Sequence, residues 1–339
     1  MEPIARGGHG EPVRDVQRRL LGAGHRIDAD ELDGTFGPST EAAVRAFQEA
    51  RGLPVDGVVG SDTWGQLVET GYRLGDRTLY LRSPAFRGDD VRQLQGTLNA
   101  LGFDAGKQDG IFGARTAEGV REFQRNVASK VDGIVGLDTV GEMTRFRPTL
   151  EGPSRAVVRE EEAARGPGLS LPGSVIAIDA EGPGSIRTIA SATAVELERR
   201  GIRSMLLPGG DEPIPAQDRI RRANAAGAAL FVSIGVSSED GTGCACFHFG
   251  TPTTHSPMGR RLAASIHASL VSRLGLDDRG VHPRSIAILR ETRMPAVLIE
   301  PVGAGDPRTD EQGFVAAVAE AIAEGIEAFS RPAPRRDEG

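Results

Sequence analysis

Two small three-helix bundles in tandem, followed by an α/β domain whose twisted, mostly parallel sheet is flanked by helices, is the multidomain fold that the sequence predicts. Three observations carry it. A stretch of the N-terminal half recurs with its turn and core residues in register. A segment rich in proline, glycine and charge separates Arg147 from Gly173. Beyond Ser174 the apolar spacing changes from helical to short β-rich runs alternating with helical ones. The expected boundaries are 1–75 and 76–146 for the bundles, 147–173 for a linker, 174–331 for the α/β domain and 332–339 for a tail.

The duplication is read directly. DGTFGPSTEAAVRAFQ from Asp33 recurs as DGIFGARTAEGVREFQ from Asp109, VDGVVGSDT from Val55 recurs as VDGIVGLDT from Val131, and VRDVQRRL from Val13 aligns with VRQLQGTL from Val91. In the second copy Val91, Leu94, Leu98 and Leu101 mark one stripe of a first helix, and Gly102 stops it. The Asp-Gly turn that follows drops Phe36 or Phe112 toward the core. Thr40 and Thr116 are then expected as N-caps of a second helix whose inner face is Val44/Phe47 or Val120/Phe123. A second Asp-Gly turn leads to a third short helix. These residues, DGxFGxxT with the later VDGxVGxxT, resemble the peptidoglycan-binding domain found beside many bacterial cell-wall hydrolases. The resemblance implies peptidoglycan or its precursors as partner, with the glycines, threonines and phenylalanines serving the fold.

The linker RPTLEGPSRAVVREEEAARGPGLSLPG contains one expected short acidic helix at Val157–Ala164, in which Glu160, Glu161 and Glu162 form a solvated face. After it, SVIAID, RSMLL, ALFVSI and AVLIE read as strands, and patterns near Ile186–Arg200, Pro215–Ala226, Gly259–Leu274 and Gln312–Phe329 read as helices. In sheets of this kind the chemistry gathers at the carboxyl ends of strands. Those ends are Asp179-Ala180-Glu181-Gly182, Ser233-Ile234-Gly235 and Leu298-Ile299-Glu300.

The order of elements, with RANAAGAALFVSI at Arg222–Ile234 and MPAVLIE at Met294–Glu300, resembles the zinc-dependent N-acetylmuramoyl-L-alanine amidase family, and the whole chain, repeats included, is similar to an actinobacterial type of it. In that family the first and third strands end in zinc-binding histidines, and a glutamate near the start of the first helix completes the set. Here the two histidine positions fall on Gly182 and Gly235, and the helix glutamate has no clear counterpart. The family's catalytic glutamate matches Glu300. A catalytic zinc needs about three donors and an open position, and glycine supplies none. The resemblance therefore implies a degenerate zinc site with no metal cofactor.

Asp179, Glu181 and Ser233 remain as a residual polar site, and Glu181 with Glu300 is a candidate carboxylate pair for a hard cation. Glu300 has a second reading, as a carboxylate that pairs with an arginine or caps a helix. Among other candidate ligands, His248 in CACFHFG reads as a strand residue facing solvent or a polar partner, and His267 as a surface or packing residue; His255 and His282 complete that group. Cys244 and Cys246 fall on a strand with side chains pointing the same way, too strained for a mutual bridge. They are expected as reduced thiols, with metal ligation the sharper alternative.

A hydrophobic fraction of 39% fills real cores, and a net charge of -7 argues against nucleic acid or an anionic membrane surface as main partner. No run is long and apolar enough to span a bilayer, and Met1–Gly10 lacks a basic stretch leading into an apolar one. The expectation is a cytoplasmic protein, associated with the membrane through partners. The function expected is a catalytically inactive regulator of peptidoglycan-precursor synthesis, acting on a precursor-synthesis enzyme or a lipid-linked precursor transporter. An active zinc amidase with displaced ligands and a protein-binding adaptor are the alternatives.

Overall fold

The computed structural model describes residues 2–145, 171, 173–182, 184–208, 214–237, 243–252, 254–303 and 306–331. The expected acidic helix of the linker, its glutamates and the tail lie outside the described residues. Two compact units divide the chain, Met1–Arg159 and Glu160–Gly339.

The first unit holds the two bundles. Helices α1 (Glu11–Gly22), α2 (Pro38–Arg51) and α3 (Ser61–Glu69) form one; α4 (Asp89–Ala100), α5 (Ala114–Asn126) and α6 (Leu137–Arg145) form the other. The apolar stripes close on themselves: Leu79, Val91, Leu94, Leu98, Phe112, Val120 and Phe123 of the second bundle make one cluster that water does not reach. Phe36 and Phe112 are buried, as the turn pattern requires.

The threonines differ from expectation. The N-cap positions of α2 and α5 are Gly37 and Gly113, so Thr40 and Thr116 lie inside the first turn. They are buried and accept hydrogen bonds from glutamine side chains, Gln17 Nε2 to Thr40 Oγ1 at 3.1 Å and Gln95 Nε2 to Thr116 Oγ1 at 3.2 Å. Each glutamine clamps a turn. Gln95 Nε2 also donates to Asp109 Oδ1 (2.8 Å) and Ile111 O (3.1 Å), while its Oε1 accepts from Gly110 N (2.9 Å). Gln48 repeats this at Asp56, Gly57, Val58 and Thr63, and Gln124 at Asp132, Gly133 and Ile134. A buried turn carbonyl or N–H without a partner costs about 1–3 kcal/mol, so a glutamine that serves both is the economical solution. Gln17 departs from the pattern, since its Oε1 has no partner and the turn's Gly34 N donates to Glu31 O instead.

The second unit is one six-stranded sheet in the order β2-β1-β3-β6-β4-β5. The strands are β1 (Val175–Glu181), β2 (Arg203–Leu206), β3 (Leu230–Gly235), β4 (Cys244–Phe249), β5 (Asp278–Arg284) and β6 (Ala296–Glu300). The first three and β6 run parallel; β4 meets β6 antiparallel and carries β5 parallel to itself. The helices are α7 (Gly184–Arg199), α8 (Ala216–Ala225), α9 (Pro257–Leu274), the short α10 (Ala287–Arg290) and α11 (Gln312–Ser330), with a 3-10 turn at Pro307–Asp310. Strand β5 is not anticipated from the sequence, because its Asp278, Gly280 and Pro283 interrupt any apolar run.

Alternation along the strands sorts the side chains. Ile176, Ile178, Val232, Ile234, Val297, Ile299, Cys244 and Cys246 pack with Leu262, Ile266, Ile322 and Ile326 of α9 and α11 in the main core. Both cysteines are free and fully buried, so burial pushes the Cys246 thiol up, with its neighbour Cys244 adding to the shift. The opposite face carries the residues between them, including Asp179, Ser233 and Glu300.

Candidate functional site

The strand register assembles the site. Asp179 stands opposite Ser233, Glu181 opposite Gly235, and Ile234 opposite Ile299, so Gly235 lies one step past that pair, beside Glu300. On the far side Ala245 of β4 pairs with Glu300. The carboxyl ends of β1, β3 and β6 thus meet in one row, Glu181, Gly235, Glu300, on the face away from α9 and α11.

Asp179, two residues before Glu181, and Glu300 are each ion-paired with an arginine, while Glu181 is half exposed. Asp179 is 1% exposed; its Oδ2 is ion-paired to Arg219 Nη1 of α8 and accepts from Ser233 Oγ at 2.9 Å. Arg219 also reaches Glu181, Nη2 to Oε1 at 3.8 Å. Glu300 is 7% exposed and pairs through Oε1 with Arg284 Nη1 of β5 at 3.0 Å. The Arg284 guanidinium lies 3.4 Å over the Phe247 ring, so an aromatic face and a carboxylate fix it together. Glu300 thus has an arginine partner. Neither Arg219 nor Arg284 is singled out by sequence, since each sits among other arginines and only the register shows which carboxylate it meets.

Glu181 and Glu300 do not face one another. Strand β3 stands between their strands, and two strand spacings of about 4.8 Å each separate them. The histidines lie elsewhere. His248 pairs with Val297 at the start of β6, at the opposite end of the strand from Glu300. It is 4% exposed rather than solvent-facing, with Nδ1 3.0 Å from Phe249 O and its ring 6.3 Å from that of His255. Burial outweighs that hydrogen bond and lowers its pKa to about 4, so it is neutral at pH 7. His267 is buried on the helix side, with Nε2 3.2 Å from Cys244 O and 3.1 Å from Asp278 Oδ1. The ring of His282 lies 5.9 Å from Phe247.

A zinc ion of the hydrolytic kind needs three convergent nitrogen, sulfur or carboxylate donors. The strand ends offer two positions without a side chain, Gly182 and Gly235, the carboxylates of Asp179 and Glu300 paired with guanidinium groups, and a half-exposed Glu181. Among the described residues no three His, Cys, Asp or Glu side chains group as a metal would require. This donor set does not fit zinc. Gly182 sits at φ +146, a conformation that side chains rarely adopt, and a Cβ at Gly235 would stand 3.3 Å from both Glu181 O and Leu298 Cδ1. Among the described residues no helix is long and apolar enough to cross a membrane.

Comparison with known proteins gives the same architecture. The peptidoglycan binding domain family matches residues 9–67 and 87–143, and the N-acetylmuramoyl-L-alanine amidase family matches residues 185–328. The chain is similar to the N-acetylmuramoyl-L-alanine amidase CwlM of Mycobacterium tuberculosis, 35% identical over 336 residues that cover 92% of this chain and 82% of that one. It is also similar to the N-acetylmuramoyl-L-alanine amidase CwlL of Bacillus licheniformis, 34% identical over 156 residues, 40% of this chain and 43% of the other. Among solved structures, N-acetylmuramoyl-L-alanine amidase AmiC2 of Nostoc punctiforme resembles it with a TM-score of 0.40 and 26% identity, over 46% of this chain and 96% of that one. With end-to-end similarity to CwlM and both domain types matched in order, the chain belongs to the N-acetylmuramoyl-L-alanine amidase family, in the form that carries two peptidoglycan binding domains ahead of the amidase domain.

Proposed function

We propose that this chain is a peptidoglycan-binding protein with a catalytically inactive amidase domain, and that it regulates the synthesis of peptidoglycan precursors. One observation carries the reading. Glu300, the carboxylate that the resemblance assigns to the general base, is paired with Arg284, and the strand-end positions that the resemblance assigns to the family's zinc histidines carry glycine, Gly182 and Gly235. Without a bound metal the pKa of water is not brought down to about 7, and a carboxylate held by a guanidinium has no hydroxide to help generate.

The repeats supply recognition and the amidase-like sheet supplies a platform for a partner, either a precursor-synthesis enzyme or a lipid-linked precursor transporter. A cytoplasmic location fits this role and fits Cys244 and Cys246 as unpaired thiols. The test is co-sedimentation of the full chain with purified peptidoglycan, scored together with release of new L-alanine amino termini. The expected result is binding with no release, with or without added zinc. Release that a chelator and Glu300→Gln both abolish would make the protein an active amidase with displaced ligands and sink the proposal.

A further inference from the structure

Between the two family-matched repeats runs a segment that neither match includes, residues 68–86. It is not a bland connection. Both tyrosines of the chain, Tyr72 and Tyr80, lie in it, 46% and 42% exposed. Their rings are tied into one cluster by guanidinium and aromatic contacts. Arg77 lies 4.0 Å over the Tyr72 ring and 5.1 Å over Phe86; Tyr80 meets Phe86 edge-on at 5.3 Å; and Arg82 lies 3.8 Å over Phe86.

The cluster is anchored from below. Asp90, fully buried, takes Arg77 in a forked pair, Nε to Oδ2 at 2.7 Å and Nη2 to Oδ1 at 3.0 Å. A planar guanidinium held by two hydrogen bonds has little freedom left, so the tyrosine ring stacked on it is held in place as well. Arg82 differs from Arg77. It is exposed, and among the described residues its guanidinium is paired with no carboxylate, only with the Phe86 face.

Two exposed tyrosines on a rigid base, with an exposed guanidinium that has no carboxylate partner among the described residues stacked on the Phe86 ring that Tyr80 also meets, form a complementary surface for one kind of ligand. A pyranose presents a C–H-lined face that packs on an aromatic ring, and a carboxylate presents two oxygens that accept from a guanidinium fork. A protein of net charge -7 places this free cation where two peptidoglycan binding domains adjoin. We infer that the Tyr72–Tyr80–Arg82 surface between the repeats is a binding subsite for a peptide-bearing glycan segment of peptidoglycan, with the tyrosines taking sugar faces and Arg82 a stem-peptide carboxylate. The inference rests on the reading that the repeats bind peptidoglycan, and places the contact in the connecting segment.

The experiment is calorimetric titration of the full chain with muramidase-released disaccharide-peptides, alongside uncharged chitotetraose. The proteins are wild type, Tyr72→Ala/Tyr80→Ala and Arg82→Glu, each checked for an unchanged melting temperature; all three side chains are exposed, and Arg82→Glu leaves the aromatic cluster in place. The double tyrosine variant is expected to weaken both ligands tenfold or more. Arg82→Glu is expected to weaken the disaccharide-peptide by a similar factor and to leave chitotetraose binding within twofold. Wild-type binding that all variants retain would overturn the inference while leaving peptidoglycan binding intact. Absence of wild-type binding would overturn the underlying reading. Retained fragment binding with loss of a co-purifying protein in the variants would assign the surface to a protein partner, and again overturn it.

Discussion

Glu31 illustrates how one side chain can complete the start of a helix that has glycine at its cap. Its carboxylate accepts from the backbone N–H groups of Ser39 (2.9 Å) and Thr40 (2.8 Å) in the first turn of α2, where Gly37 at the cap position has no side chain to do so. Burial alone raises the carboxyl pKa; the hydrogen bonds from Ser39 and Thr40 outweigh it and hold the value at about 2 against an ordinary 4.5. A depressed pKa stabilises the fold above the unfolded-state value, and that contribution is lost as pH falls through 4.5 toward about 2. Glu31→Gln should therefore cost about 1–2 kcal/mol in urea unfolding at pH 7. The difference from wild type should shrink as the same measurement is repeated between pH 5 and 3; a difference that does not change over that range would rule out the carboxylate as its source.

The two strand-end glycines make a second prediction at this scale. A side chain at Gly182 would be strained by the φ of +146 already present there, at a cost of about 1–3 kcal/mol, and a Cβ at Gly235 crowds Leu298. The Gly182→His/Gly235→His variant should melt below wild type by differential scanning fluorimetry. An equal or higher melting temperature would show that the backbone has kept the geometry of a histidine site.

At the scale of elements, the glutamine clamps and the buried ion pair are what the turns and the sheet depend on. Gln124→Leu leaves Gly133 N–H and the Ile134 carbonyl without their partner and should cost about 2–4 kcal/mol in denaturant unfolding. Gln17→Leu should cost clearly less, because Gln17 Oε1 already lacks a partner. Equal losses would mean that the clamps act through packing alone. Arg219→Ala strands Asp179 as a buried, uncompensated carboxylate and should cost about 3–5 kcal/mol, measured the same way.

Much of this level is legible in the sequence. The duplicated Asp-Gly turns, Phe36, Phe112 and the helix stripes follow from spacing, because turns and amphipathic faces are local. Strands β1, β3 and β6 follow from their apolar runs. The roles of Thr40 and Thr116 do not: a threonine after a glycine turn has the signature of a cap, and only the position of the facing glutamine shows that it is an acceptor inside the helix. Strand β5 and the partners Arg219 and Arg284 are hidden for the same reason, since pairing across a sheet depends on register between segments far apart in the chain. For His248 the sequence leaves solvent or a polar partner open, and the pairing of β4 on both sides, with Phe249 O 3.0 Å from Nδ1, selects the partner.

For the whole molecule, the central claim concerns what converges at the strand ends. Two recognition repeats precede an amidase-family sheet whose end row is Glu181, Gly235 and Glu300, with each carboxylate turned toward an arginine. A fold can keep its core and its strand register while the site grafted on it changes, because the core is set by the helix-packed face and the site by the other. Zinc content of the full chain, measured by elemental analysis after dialysis against buffered zinc and read beside muropeptide turnover on the same preparation, tests this most directly. Far less than one zinc per chain and no release of stem peptide are expected. One zinc per chain, lost on Glu300→Ala together with measurable amide cleavage, would contradict the claim.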